Sequence, residues 1–188
     1  MRLARPGVTQ VSELVELLNT SLGAGLYSIE GKLEDLADPG AHLVVAMAGE
    51  DVVGAAVARL LVPADLAYYL AFGVPARDAF NGTRVGSIEA LAVRPASRRA
   101  GIGRALLDDS LAWCELQGCE WVVGVSWISG ARGTSAPLFA AAGFNMGPTI
   151  SEFYREDSVR NGWTCPVCGP VCTCAGQFVY RAAGDALA

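Results

Sequence analysis

The chain has 188 residues, 52% of them hydrophobic, with 22 glycines, six cysteines and a formal net charge of −5. That length and apolar content fit one folded domain with a full core and exclude a disordered chain. The acidic balance, with no Lys/Arg cluster outside one turn, argues against a nucleic-acid partner, and no apolar run reaches membrane-spanning length, because residues 52–70 are broken by Arg59, Pro63 and Asp65.

Val11, Leu14, Val15, Leu17, Leu18 and Leu22 recur at helical spacing and predict a helix over 9–22, behind Pro6-Gly7 and with Thr9 as its cap. Leu3-Ala4-Arg5 has room to be a short strand before it. A second, short helix over 30–37 stops at Asp38-Pro39-Gly40. Residues 42–48 and 52–61 read as strands joined across Gly49-Glu50-Asp51. Residues 63–84 read as an irregular aromatic stretch, long for a loop in a compact domain. A strand over 86–93 precedes a basic, glycine-bearing turn, and a helix over 101–116 follows it. A buried-type strand over 121–127 leads to a short helix over 136–142, closed by Gly143. Two last strands are expected at 150–154 and 177–181. This order predicts an α/β (α+β) fold: a mixed, mostly antiparallel central sheet flanked by helices. We expect a single domain over 1–188, with 160–176 as a metal-binding hairpin inserted before the last strand. Nothing behind Met1–Pro6 resembles the apolar core of a secretory leader, so a cytoplasmic chain is expected.

The segment Leu91-Ala92-Val93-Arg94-Pro95-Ala96-Ser97-Arg98-Arg99-Ala100-Gly101-Ile102-Gly103-Arg104 carries the most chemistry. A strand, a glycine turn and a helix in that order form an anion site. Glycines let the backbone approach a ligand, and the first helical N–H groups point at it. The helix dipole and the arginines favour phosphate there. Arg-x-x-Gly-x-Gly after a Leu-Ala-Val strand and a proline resembles motif A of the GNAT superfamily, the acyl-CoA-dependent N-acetyltransferases. The likeness in element order covers roughly residues 1–155 and the final strand.

The resemblance implies a GNAT-type fold and an acyltransferase that moves the acetyl group of acetyl-CoA to a primary amine. It assigns coenzyme binding to Leu91, Ala92, Val93, Arg98, Arg99, Ala100, Gly101, Ile102, Gly103 and Arg104, with the strand residues pairing with the pantetheine arm. A backbone N–H at Ala92 or Val93 would polarise the acetyl carbonyl. An amine of pKa ~10.4 arrives protonated and needs a base. Glu89, two residues before Leu91 and so on the same strand face by alternation, is the catalytic candidate. An ion pair with an arginine across the sheet is its other reading. The family usually has a tyrosine four residues before a Gly-Phe pair, as proton donor to the leaving thiolate. Here Gly143-Phe144 is preceded by Phe139, which has no proton to give and is assigned to packing under the coenzyme. Tyr154, Ser129 and Ser135 are the substitutes. The family also uses the loop before this strand to shape the acceptor pocket, which points to Tyr68, Tyr69, Phe72, Phe80 and Asn81; closing a hydrophobic end of the core is their other reading. The lone His42 reads as a structural histidine.

Cys165-Pro-Val-Cys168-Gly-Pro-Val-Cys172-Thr-Cys174 is a second signal. Cys-x2-Cys-Gly aims two thiolates at one point, and Cys172 and Cys174 complete a tetrahedral four-sulfur set for a structural zinc ion. An iron–sulfur cluster also takes four thiolates, but this close spacing suits a single ion better. Cys114 and Cys119 read as buried small hydrophobes. The acceptor is expected to be a small-molecule amine. A protein amine (lysine or N-terminus) and a catalytically weak coenzyme-binding or interaction module are the alternatives, and relatives allow a homodimer. No membrane partner is expected.

Overall fold

The computed structural model describes residues 1–70, 80, 82–130 and 133–184. Its elements are β1 (Arg2–Ala4), α1 (Val8–Leu22), α2 (Ile29–Ala37), β2 (Ala41–Ala48), β3 (Asp51–Leu60), α3 (Pro63–Leu70), β4 (Val85–Val93), α4 (Ile102–Leu116), β5 (Trp121–Ser129), β6 (Gly133–Thr134), α5 (Ala136–Ala141), β7 (Asn145–Ile150), α6 (Arg155–Asn161) and β8 (Ala175–Ala182). One eight-stranded sheet runs β1-β2-β3-β4-β5-β8-β7, with β6 paired to the end of β5. Among the described residues only β4 and β5 run parallel, so the sheet is mixed and mostly antiparallel, as the element order predicts.

The helices cover both faces of the sheet. Val11, Leu14, Val15 and Leu18 of α1 pack on Leu43, Val45, Val57, Ala90 and Ala92, with Leu33 and Leu36 of α2 at the margin. On the other face, Ile102 and Leu106 of α4 meet Val44, Ala46, Val53 and Ala56. Further along α4, Leu107, Leu111 and Cys114 meet Ile88, Val122 and the α5 side chain Phe139. Both Cys114 and Cys119 are buried, as expected.

Several sequence expectations need correction. Gly7, not Thr9, caps α1, which starts at Val8. Residues 63–70 form a helix, not an irregular stretch, opened by Pro63, which fits the first turn because its missing N–H would lack a helical partner. Tyr69 and Phe80 take the packing alternative: they sit with Val85, Val123 and Phe178 in the core, and Phe80 meets Trp121 edge-on at 5.4 Å. Phe72 and Asn81 lie outside the described residues. The strand expected at 150–154 is instead β7 at Asn145–Ile150, and a short helix, α6, follows it.

The β3–β4 pair has a bulge at Glu89: Val57 faces Ala90 and Ala58 faces Ile88, so Glu89 has no partner on β3. The bulge reverses which face each later residue takes. Ile88 packs on the α4 side, whereas Ala90 and Ala92 pack on the α1 side. On its other edge β4 pairs with β5 only from Val85 to Ile88, ending opposite Gly124. A Cβ at Gly124 would stand 3.3 Å from the Ile88 carbonyl oxygen. Beyond this point the two strands part.

Gly54 is where α4 comes closest to β3: a Cβ there would sit 2.9 Å from both Ile102 and Leu106 side-chain carbons. Gly54→Val is expected to cost about 1–3 kcal/mol by overpacking. It would be read as a lower urea midpoint at unchanged slope. An unchanged midpoint would show that α4 can move off β3 at no cost.

Candidate active site

Two connected spaces open where β4 and β5 part. The larger, a groove of about 590 Å³, runs along the end of β4 and the start of α4. The smaller, a chamber of about 120 Å³, lies deeper between the α1–α2 turn, β4, β5 and the segment after β7. Leu22, Leu91, Trp127, Ser135 and Leu138 border both.

The groove floor is the basic turn. Gly101 caps α4 at φ +77°, and Arg99 is also left-handed at φ +64°. Two such residues close together bend successive N–H groups toward one side, a concave anion site continued by the first helical amides of Ile102, Gly103 and Arg104. Arg98 donates from Nε to the Val93 carbonyl at 3.0 Å, which holds the turn to the end of β4. Arg104 pairs with Asp108 at 2.7 Å and donates to the Ala141 carbonyl at 2.8 Å, tying α4 to α5. Gly103 faces Leu91, Val93 and Leu138, with only ordinary contacts around it. Leu91, Ala92, Val93, Arg98, Arg99, Gly101, Ile102, Gly103 and Arg104 therefore meet at one groove. Ala100 and Phe139 do not line it; Phe139 lines the chamber and packs edge-on against Phe144 at 5.1 Å.

The Arg94 N–H donates to Val53 on β3 at 2.9 Å. Strand alternation then turns the Ala92 N–H toward β3 and leaves those of Leu91 and Val93 on the open edge. Of the two amides the sequence left open, Val93 is the one that faces the groove.

Glu89 and Leu91 are not on one face, as alternation suggested. The bulge sends Glu89 toward α2, while Leu91 faces α4 next to Gly103. Both still line the chamber, because it is lined from both faces of the sheet where the strands part. The Glu89 carboxylate lies 3.4 Å from Arg59 Nε and 3.7 Å from Lys32 Nζ. Arg59 and the buried Lys32 both pair with the buried Asp35, and Arg59 also reaches Asp38 at 3.2 Å. The arginine pairing read from the sequence is present, on a residue that also borders the chamber. The aromatic side chains Tyr27, Trp127, Phe139, Tyr154 and Trp163 line the chamber too, among aliphatic ones such as Leu26, Ile88 and Val125. Sequence reasoning missed Tyr27, which sits in a turn with no motif around it. Lys32 Nζ lies over its ring, 5.1 Å from the centroid. Burial, then the charge of Glu89, pushes the Tyr27 phenol far above its ordinary range, and burial raises Tyr154 likewise. Both are neutral hydroxyls at physiological pH. Ser135 borders both spaces and lies 3.0 Å from Ser126 Oγ, while Ser129 borders neither. His42 stacks on Trp113 at 5.3 Å and bonds Asp109 at 2.7 Å, a structural role as expected.

The sulfur atoms of Cys165, Cys168, Cys172 and Cys174 all lie within 4.8 Å of one another. Cys168 and Cys165 stand 3.4 and 3.9 Å from Cys174. A zinc tetrahedron with bonds of about 2.3 Å puts sulfurs about 3.8 Å apart, so the set fits one such ion. Gly169, at φ +84°, makes the tight turn, and the N–H groups of Val167 and Cys168 donate to Cys165 Sγ. The hydroxyl of Thr173 draws the Cys168 thiol down to about 7, while burial pushes Cys172 up to about 11.

Comparison with known proteins agrees with this geometry. The fold resembles the ribosomal-protein-alanine N-acetyltransferase from Brucella melitensis (16% identity, TM-score 0.65, 97% of this chain and 99% of that one). It also resembles Chaetomium thermophilum Naa20 bound to a bisubstrate analogue (15%, 0.68, 97% and 86%). The GphF GNAT-like decarboxylase, in complex with isobutyryl-CoA, is similar too (23%, 0.66, 97% and 100%). A search of curated proteins returned no match. The sequence model of the acetyltransferase (GNAT) family matches residues 11–144, which spans the groove and Glu89 but not the cysteine knuckle. The chain belongs to the acetyltransferase (GNAT) family and is an acyltransferase.

Proposed function

We propose that the enzyme transfers the acetyl group of acetyl-CoA to the primary amine of a small molecule. The observation that carries this is the junction of the groove with the chamber at Leu91, Trp127, Ser135 and Leu138. Acetyl-CoA supplies an activated thioester; structural relatives solved with coenzyme A and isobutyryl-CoA support a coenzyme ligand, and the basic turn with its helix N-terminus supports the groove as its site. The amides of residues 99–104 hold the pyrophosphate. The free edge of β4 pairs with the pantetheine arm, which brings the reacting carbonyl to the junction. There an open-edge N–H of β4, that of Leu91 at the junction or of Val93 beside it in the groove, donates to the carbonyl oxygen as charge grows on it. The amine enters the chamber, and Glu89 takes its proton, directly or through water. Phe139 brings no proton for the departing sulfur; Ser135, which borders both spaces, is our candidate to give one. We further propose that the four cysteines hold a structural zinc ion, which orders the knuckle and leaves no open coordination position for chemistry.

Acetyl-CoA and coenzyme A, but not ATP, are expected to raise the melting midpoint of the protein, because a ligand of the folded state stabilises it by mass action. No shift with either would remove the coenzyme assignment. With an amine found by screening, Glu89→Gln is expected to lower kcat/KM by about 10²-fold or more, with acetyl-CoA affinity within about twofold of wild type. A rate unchanged in that variant would leave Glu89 only its ion pairs. Elemental analysis of the purified protein should find about one zinc per chain, and Cys172→Ser should lose the metal and lower the melting midpoint. Iron in place of zinc, or an unchanged midpoint, would count against a structural zinc.

A further inference from the structure

We propose that the cysteine knuckle sets acceptor selectivity. It holds the segment from Tyr154 to Trp163 over the α1–α2 turn, and so makes the chamber a narrow box, open toward the groove, for one compact primary amine with an apolar or aromatic body. This rests on the acetyltransferase reading above, which supplies the reaction.

The mechanical link can be followed bond by bond. Trp163 is buried and packs against Cys165, Cys172 and Cys174. Its indole N–H donates to Asp157 of α6 at 2.7 Å. The Cys172 N–H donates to Ser158 Oγ at 3.0 Å, which ties the knuckle to the same helix. Next to Trp163, Thr164 exchanges two backbone hydrogen bonds with Ala24 in the α1–α2 turn, at 2.8 and 2.9 Å. The indole lies so close on Gly23 that a Cβ there would come within 2.7 Å of it. The two segments that wall the chamber are thus joined backbone to backbone. A peptide passing between these two segments would have to break that bridge.

The box has its own chemistry. At about 120 Å³ it is comparable to the apolar cavity of about 150 Å³ that admits benzene. Among the described residues that line it, Glu89 is the sole carboxylate. One ammonium group finds that carboxylate and aromatic faces around it. A second ammonium, as in a polyamine, would be buried without a partner.

Isothermal titration calorimetry on the metal-loaded protein, saturated with coenzyme A, tests this. The probes are 2-phenylethylamine, spermidine and a lysine-free hexapeptide with a free N-terminus. Saturable binding of 2-phenylethylamine, at least about tenfold tighter than either other probe, is the expected result. Trp163→Ala should weaken it by about tenfold or more while coenzyme A affinity stays within about twofold. Gly23→Ala displaces the same indole while leaving every knuckle residue and Trp163 itself unchanged in sequence, and should do likewise if Trp163→Ala fails to fold. Equal or tighter binding of spermidine or the peptide overturns the proposal. So does an amine affinity that neither variant changes, or the absence of amine binding to wild type. Failure of coenzyme A itself to bind would remove the acetyltransferase reading, and this proposal with it.

Discussion

β4 and β5 stay paired as far as Ile88 and Gly124, and everything functional in the molecule depends on their parting there. A parallel pair that continued would satisfy its own backbone groups and leave nothing for a ligand. Because it stops, the end of β4 keeps free N–H groups on one edge. The α4 N-terminus, held to β3 by the close contact at Gly54, sits beside that edge. The left-handed turn at Arg99 and Gly101 then bends its amides toward the same space. Edge, turn and helix start together make one continuous binding surface.

The bulge at Glu89 has a separate effect. It rotates the strand, so that a carboxylate from the α2 face and an aliphatic side chain from the α4 face border one chamber. Glu89 therefore belongs to two sets of contacts. It is part of a network of ion pairs with Lys32, Arg59 and Asp35, and it is also the acidic group of an aromatic cavity. The network fixes the carboxylate in place, which a base that must meet an incoming amine requires.

Much of this was legible in the residues. The turn from Arg98 to Gly103 announced itself because few local sequences place glycines and arginines between a β-branched run and a helix. The four cysteines were legible as one cluster because their close spacing in the chain brings four thiols together. Other parts were hidden for physical reasons. β7 contains Gly147 and Pro148 and lies at the sheet edge with mostly exposed residues, so it has little strand signature. α6 is polar nearly throughout and buries only Ser158, so no apolar stripe marks it. The bulge was invisible because alternation assumes an unbroken ladder, and one extra residue reverses every assignment after it. The chamber itself is assembled from a turn near residue 27, two strands, and a segment beyond residue 150. No local pattern reports such a convergence.

The bridge between Ala24 and Thr164 bears on the order in which the molecule is made. A chain leaving the ribosome from its N-terminus exposes the groove, from Ser21 to Leu138, before Thr164 or the cysteines emerge. β8, which inserts between β5 and β7, comes later still. The inner chamber is thus among the last parts to be completed during synthesis. Until then, the aromatic side chains of the α1–α2 turn and β5 that will wall it stand without their final cover.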